Sequence, residues 1–141
     1  MSNKKVYMKT LEYCDPATPI KPEHIKELEG ALTRDPLAVA LAAPQIGINV
    51  RMFATKRPRM PLVIAPEILS RSASTSTKLE GCRSLPGKKL VKVRRARIIK
   101  AQWSTITEFG DVIHTCLTLR GYDARVFQHE FDHLNGIMIR R

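Results

Sequence analysis

The chain has 141 residues, 43% hydrophobic and 26% charged, and its 24 Lys and Arg residues against 13 Asp and Glu residues give a net charge of +11. This composition is typical of a single globular domain over residues 1–141, large enough to bury a core without disulfides. No apolar run reaches the roughly 18 residues of a membrane helix, and the first residues lack the apolar core of a secretory signal. We therefore expect a cytoplasmic protein with no membrane contact.

The first half of the chain predicts one helix followed by short strands. The helix is predicted over residues 22–33, with Pro22 in its first turn. Leu28 and Leu32 fall on one face of it, and the pair Asp35-Pro36 ends it. Apolar runs then predict strands at residues 50–55, 62–65 and 67–70, and segment 71–78 is either an exposed loop or an edge strand.

The second half predicts further strands and a final helix. Strands are predicted at residues 90–93, 97–103 and 112–119, with a hairpin turn at 108–111. The final helix runs over 122–135 and ends at Gly136 in a left-handed conformation. One helix early, one late and many short strands between them predict an α+β fold, in which short-stranded mixed or antiparallel sheets pack around the C-terminal helix.

The final helix contains the segment "QHEFDHLNG", residues 128–136. His129 and His133 are four residues apart, so both imidazoles lie on one face of the helix, one turn apart. Glu130 lies about 100° round the helix, close enough to act on a water beside a metal without binding the metal itself. A separate apolar face consists of Phe127, Phe131 and Leu134. The segment predicts two metal ligands and leaves the third open.

Two familiar patterns for a third ligand fail on this sequence. A thermolysin-like site takes it from a downstream helix, but the eight residues after His133 include no acid and no histidine. The metzincin pattern H-E-x-x-H-x-x-G-x-x-H matches through Gly136, but its last position is Ile139. A peptide-bond-cleaving metallopeptidase is therefore disfavoured, and the third ligand must lie upstream.

The upstream candidates are the acidic residues, two histidines and three cysteines. Cys82 stands out, because its segment "EGCRSLPG" combines a flexible glycine with basic surroundings that favour the thiolate. We expect Cys116 to be buried within a strand. Of the others, His24 is predicted on the polar side of the first helix, His114 at the surface or in a hairpin, and Cys14 has no partner pattern.

Three motifs in this order resemble the peptide deformylase family. That family carries G-x-G-L-A-A-P-Q, then E-G-C-L-S, then Q-H-E-x-D-H-L. Here they are "AVALAAPQ" at 38–45, "EGCRS" at 80–84 and "QHEFDHL" at 128–134. The similarity continues through "INVRMFAT", "APEIL" and "LNGIMI", so it runs along nearly the whole chain.

The resemblance implies a hydrolase that removes the formyl group from N-formyl-methionyl nascent peptides in the bacterial cytoplasm and releases formate. It makes Cys82, His129 and His133 the ligands of one divalent metal ion, Fe2+, with Ni2+, Co2+ or Zn2+ as alternatives. Glu130 would transfer protons. The side-chain amide of Gln45 and the backbone N–H of Arg83 would stabilise the oxyanion.

The remaining site predictions concern the substrate cleft and the support of the ligands. Glu80 is expected to pair with Arg94 or Arg95. The polar face of the final helix is expected to comprise Arg125, Gln128 and Asp132. The substrate-binding candidates are Val39, Ala40, Tyr122 and Val126, although apolar residues at such positions are more often part of the core.

The sequence departs from the family pattern at three places. Ala38 and Ala40 replace the two glycines of the first motif, which would impose strain if either needs a positive φ. Arg83 replaces a leucine, and its charge at the cleft entrance could favour acidic residues further along the peptide or the C-terminal carboxylate of a short one. The chain ends soon after the metal helix, like the short forms encoded by some phages, so a phage-infected host is an expected setting.

The segment "CRSLPGKKLVKVRRARIIK" (82–100) holds eight basic residues and no acid. Such a stripe attracts nucleic acid or the ribosome, but it is also typical of a solvated strand face. The alternative function is therefore a catalytically inactive, metal-bound module that binds RNA or the ribosome. A monomer is expected in either case.

Overall fold

The computed structural model describes residues 7–84 and 90–139. Within these ranges a 3-10 turn at Ala43–Ile46 follows the first strand. The helices are α1 (Pro22–Arg34) and α2 (Gly121–Leu134), and the strands are β1 (Ala40–Ala42), β2 (Met52–Thr55), β3 (Leu62–Arg71), β4 (Thr75–Glu80), β5 (Val91–Ala96), β6 (Ile98–Ile106) and β7 (Val112–Arg120).

The strands form one five-stranded sheet in the order β1-β2-β3-β6-β7 and a separate hairpin of β4 and β5. Every pairing is antiparallel. The α+β prediction is confirmed. For segment 71–78 the edge-strand alternative holds in part, because β4 begins within it at Thr75. Of the two helices described, neither is long and apolar enough to cross a membrane.

The two helices cover opposite faces of the sheet, as the alternation of side chains along β2 shows. Phe53 joins the apolar cluster around α2, whereas its neighbours Met52 and Ala54 join the cluster around α1. Successive strand side chains point to opposite faces, so a fully buried strand such as β2 supplies both clusters.

Helix α1 confirms the predicted helix and buries Leu28, Ala31 and Leu32. Its first turn is capped by His24, whose Nδ1 accepts a hydrogen bond from the backbone N–H of Lys21 at 3.1 Å. The final helix is also confirmed. Gly136 adopts φ +77°, and a Cβ there would lie 3.0 Å from the backbone nitrogen of Tyr13.

The two strands predicted on either side of Pro66 form one strand, β3. The register to β6 shifts between Ile64 and Glu67, and Ala65 takes φ +51°. A bulge of this kind lets a strand continue past a proline that cannot donate a ladder hydrogen bond.

Cys116 was predicted to be buried and is exposed, because it lies on β7 at the edge of the sheet.

Candidate metal centre

His129 and His133 project from one side of α2 because the opposite side is fixed in the core. Phe127 makes an edge-to-face contact with Phe53, with ring centroids 5.2 Å apart, and Leu134 is fully buried. The two imidazole rings lie 4.6 Å apart, centroid to centroid. The predicted division of the helix into a ligand side and a packing side is present.

Cys82 brings the third ligand atom from the segment that follows β4. The ligand atoms of Cys82, His129 and His133 all lie within 4.8 Å of one another, and the Cys82 Sγ is 3.6 Å from the His133 Nε2. The structure does not bring the other candidates here: Cys14 is buried elsewhere, His24 caps α1, and His114 is exposed beside Ser104.

Glu80 orients His129 from behind. One carboxylate oxygen lies 2.7 Å from the His129 Nδ1, so a proton on Nδ1 leaves Nε2 free to bind an ion. Burial opposes ionisation of Glu80, but hydrogen bonds from His129 and Arg95 outweigh it and lower the pKa of Glu80 to about 2. The acid is therefore ionised at neutral pH and holds the imidazole in one orientation.

Two arginines surround Glu80. Arg95 donates to both carboxylate oxygens, at 2.7 and 2.9 Å. Of the two arginines predicted as partners of Glu80, Arg94 and Arg95, the structure therefore shows Arg95. Arg95 also contacts Asp132 at 3.0 Å. Arg125 donates to Glu80 as well, from within α2.

Arg125 and Gln128, which the sequence predicted on the polar face of the final helix, are both buried. Arg125 donates to the backbone oxygens of Val93 (3.0 Å) and Ser76 (2.8 Å), and so joins α2 to the β4–β5 hairpin. Its position four residues before His129, on the ligand face of the helix, was the signal that could have identified it.

Glu130 is 5% exposed and lies between the two histidines. Its Oε1 is 3.0 Å from the His133 Nδ1 and its Oε2 is 3.9 Å from the His129 Nε2. Burial opposes ionisation, but the neighbouring His133 and His129 outweigh it, so the pKa of Glu130 lies below its ordinary value. An ionised, buried carboxylate beside converging ligand atoms is able to accept a proton there.

Gln45 is held by its own side-chain oxygen. The Oε1 accepts the backbone N–H of Ala42 at 2.9 Å, which directs the amide nitrogen toward the segment around Cys82. Nε2 donates to the Ser84 Oγ at 3.0 Å and lies 3.6 Å from the Cys82 Sγ. Gln45 therefore caps a turn and also presents a donor to the site, and Ser84 is a contact that the sequence did not indicate.

Arg83 places its backbone beside the ligand and its side chain away from it. Among the described residues, no hydrogen-bond partner is present for its backbone N–H, which leaves that donor available. The guanidinium Nε donates to the Asp35 Oδ2 at 2.8 Å, and the Tyr7 hydroxyl donates to the same oxygen at 2.6 Å.

A cavity of about 470 Å³ opens onto the ligands. Ala38 and Ala40 lie along it without the strain that a positive φ would bring, since Ala65 is the sole non-glycine residue with positive φ in the described ranges. Most of the lining is apolar, and it includes all four predicted substrate-binding residues: Val39, Ala40, Tyr122 and Val126.

The donor set fits a catalytic divalent metal. One thiolate and two imidazoles suit zinc and the later first-row transition ions. Three protein ligands leave a coordination position for water or substrate, and the cavity gives access to it. Glu80 fixes His129 and Glu130 fixes His133, as expected for oriented metal ligands.

The chain is similar to known proteins along most of its length. A family model described as polypeptide deformylase matches residues 6–141. The peptide deformylase of Thermotoga neapolitana is 44% identical over 102 residues, which cover 72% of this chain and 59% of the relative. The match thus spans less than two thirds of that relative's length.

Solved structures give the same result over more of the chain. A probable peptide deformylase from Synechococcus phage S-SSM7 has a TM-score of 0.75 at 26% identity and 95% coverage of both chains. The class I type b peptide deformylase of Acinetobacter baumannii, with Met-Ala-Ser bound, has a TM-score of 0.71 at 30% identity, over 92% of this chain and 90% of its own. The three motifs, their convergence in space and the family match over residues 6–141 agree. This chain therefore belongs to the polypeptide deformylase family.

Proposed function

We propose that the protein is a metal-dependent hydrolase that removes the formyl group from N-formyl-methionyl nascent peptides and releases formate. The observation that carries the proposal is the convergence of Cys82, His129 and His133, with Glu130 and Gln45 beside them. The Acinetobacter baumannii relative holds Met-Ala-Ser, a peptide of the kind that this reaction would leave.

Cys82, His129 and His133 would hold one divalent ion, and Fe2+ is the proposed native ion, with Ni2+, Co2+ and Zn2+ as alternatives. Such an ion supplies an activated water at neutral pH and polarises the formyl oxygen. A thiolate ligand and a buried carboxylate partner for one imidazole are the features of the chain that support a tightly held ion.

Glu130 would move the proton. Its carboxylate accepts a proton from the attacking water as the new C–O bond forms at the formyl carbon. The formyl C–N bond then breaks, and the same proton passes to the methionine nitrogen, which leaves as a free amine. The burial of Glu130 keeps bulk water from competing for this transfer.

Gln45 and Arg83 would stabilise the charge that develops on the formyl oxygen. The Gln45 amide is fixed by its hydrogen bond with Ala42, and the Arg83 backbone N–H follows directly after Cys82. Donors fixed in advance need no reorganisation during the reaction, and one such donor is worth about 3 kcal/mol of barrier.

The substrate would lie along β1. This strand is at the edge of the sheet, and its first residue, Ala40, lines the cavity together with the preceding Val39. An extended peptide could therefore add to its free edge. Tyr122 and Val126, also in the lining, are proposed to receive the methionine side chain.

The test of the proposed function is formate release from formyl-Met-Ala-Ser, using protein loaded anaerobically with Fe2+ and, separately, with Ni2+. Acetyl-Met-Ala-Ser is the matched substrate control. Release from the formyl peptide alone is expected. Cleavage within the peptide would indicate a metallopeptidase instead, and a stoichiometric metal without any turnover would favour the inactive binding module.

We also propose that the protein works as a monomer, in the bacterial cytoplasm or in a phage-infected host.

A ribosome contact through the basic segment 82–100 is proposed because of its charge. Lys92, Arg94 and Arg97 are exposed, and Lys88 and Lys89 lie outside the described residues. Reduced co-sedimentation with ribosomes is expected when Lys88, Lys89 and Lys92 are all changed to Glu. Unchanged binding would contradict the contact, and the charge-matched control changes Lys9, Lys21 and Lys26 to Glu.

A further inference from the structure

The side chain of Arg83 has contacts that its role at the metal does not require. It extends from the residue after Cys82 to Asp35, which it meets through Nε. Within residues 7–84 and 90–139 the guanidinium donates its hydrogen bond through Nε, Nη1 and Nη2 donate none, and the Tyr7 hydroxyl lies beside the group. The side chain is 38% exposed and lines the cavity, so two donors are available to a molecule bound there.

The charges around Asp35 leave this end of the cavity positive. The Asp35 carboxylate is balanced by Arg83, and the Lys56 ammonium lies 2.7 Å from the Asp35 backbone oxygen. Two cations and one carboxylate give a net charge of +1. Asp35 is 4% exposed, so the cavity meets the arginine and not the acid.

The guanidinium lies in the direction that a bound peptide would take. The carboxyl end of β1 is at the ligands, because Ala42 binds Gln45 and Gln45 contacts Cys82. The amino end of β1 leads back through Leu37, which also lines the cavity, to Asp35. A peptide with its formyl group at the ligands and its backbone along β1 therefore runs toward the Arg83 side chain, past the methionine.

Resting on the proposed deformylase function, we propose that Arg83 is a specificity-determining residue that favours substrates with a carboxylate side chain at the second or third residue. Asp35 is the positioning residue, because it fixes the guanidinium through Nε and leaves the two terminal nitrogens to bind the substrate. A planar guanidinium held in this way suits a two-point contact with a carboxylate, which a lysine would not provide.

The test compares amidated peptides that differ in one charge: formyl-Met-Ala-Asp-amide with formyl-Met-Ala-Asn-amide, and formyl-Met-Asp-Ala-amide with formyl-Met-Asn-Ala-amide. The expected ratio of kcat/KM, Asp over Asn, is about 3 to 10 in at least one pair, as for a partly exposed charge-assisted contact. The ratio should fall to about 1 in Arg83→Leu and lie between these values in Arg83→Lys.

Arg71→Leu, which removes an exposed charge at the end of β3, is the matched variant and should keep the wild-type ratio. A wild-type ratio of about 1 in both pairs would overturn the inference, as would a ratio that Arg83→Leu leaves unchanged. Formyl-Met-Ala with a free carboxyl terminus is compared with its amide. A preference confined to the free terminus would overturn the assignment to side chains.

A binding measurement separates this inference from the proposed function. Titration calorimetry of the metal-loaded protein with acetyl-Met-Ala-Asp-amide and its Asn counterpart, and with the pair carrying the change at the second residue, needs no turnover. Tighter binding of an Asp peptide, lost in Arg83→Leu, would support the role of Arg83 even if no formate were released. Formate release with equal binding and equal kcat/KM for the Asp and Asn peptides would support the deformylase and reject the role of Arg83.

Discussion

Asp35, the ion-pair partner of Arg83, changes its charge with pH. Burial disfavours its ionised form, but hydrogen bonds from Tyr7 and Arg83 outweigh burial and lower the pKa of Asp35 from 3.8 to about 2. A lowered pKa means that the folded protein binds this proton less tightly than the unfolded chain. The resulting stability is present above pH 3.8 and is lost as the pH falls toward 2.

Asp35→Asn should therefore destabilise the protein at neutral pH and matter less in acid. The difference in free energy of unfolding between wild type and variant should shrink by about 2 kcal/mol as the pH falls from about 5 to about 2. Denaturant unfolding at a series of pH values measures it. Asp111→Asn, at an exposed acid before β7, controls for the loss of one charge, and a difference that is independent of pH would contradict the prediction.

A substitution of Gln45 tests whether its side-chain amide, which caps a turn, also acts in catalysis. Gln45→Leu removes the Nε2 donor near Cys82, so kcat for formate release should fall about 100-fold, while the metal content stays the same. Gln102→Leu, at an exposed glutamine that contacts Glu67, is the control. Reduced stability with an unchanged kcat would mean that Gln45 is a structural cap alone.

At the scale of single residues, the sequence predicted what depends on local spacing. His129, Glu130 and His133 follow from one helical turn. The contact of Arg83 with Asp35, 48 residues earlier, could not be predicted, because it depends on how α1 and the segment after β4 meet in the folded protein.

At the scale of elements, α2 and the β4–β5 hairpin depend on each other through Glu80. The acid ends β4, and its three partners come from β5 and α2: Arg95, Arg125 and His129. A buried carboxylate that loses a charged partner is strongly destabilising, since its desolvation is no longer offset.

Consecutive arginines on β5 provide a matched test. Arg95→Met removes two hydrogen bonds to Glu80 and should lower the free energy of unfolding by about 3 kcal/mol. Arg94→Met changes the exposed neighbour on the opposite face and should stay within about 0.5 kcal/mol of wild type. Equal effects of the two substitutions in denaturant unfolding would refute the structural role of Arg95.

The predicted helices were right and two strand features were not. Periodicity and stop signals define α1 and α2 because they are local. Pro66 suggested a break, but a bulge absorbs it within β3. The burial of Cys116 depended on the position of β7 in the sheet, which no local pattern specifies, and β7 lies at the edge.

At the scale of the whole molecule, the site forms where three separate parts of the chain meet. Helix α2 brings two ligands and Glu130, the segment after β4 brings Cys82, and the turn after β1 brings Gln45. The order of the three motifs could be read from the sequence through its family resemblance. Their convergence depends on α2 packing against β1 and the 3-10 turn on one face of the sheet, which required the structure.

The most direct measurement pairs metal content with formate release in the same preparations of wild type and Glu130→Gln. Gln keeps the size of the side chain but cannot accept the proton, so the variant should bind one metal ion per chain and lose activity by a factor of about 100 to 10,000. Formate release by the wild type and its loss in a metal-loaded variant would establish the proposed mechanism. Equal activity of the two proteins, or a wild type that binds its metal and releases no formate, would contradict it.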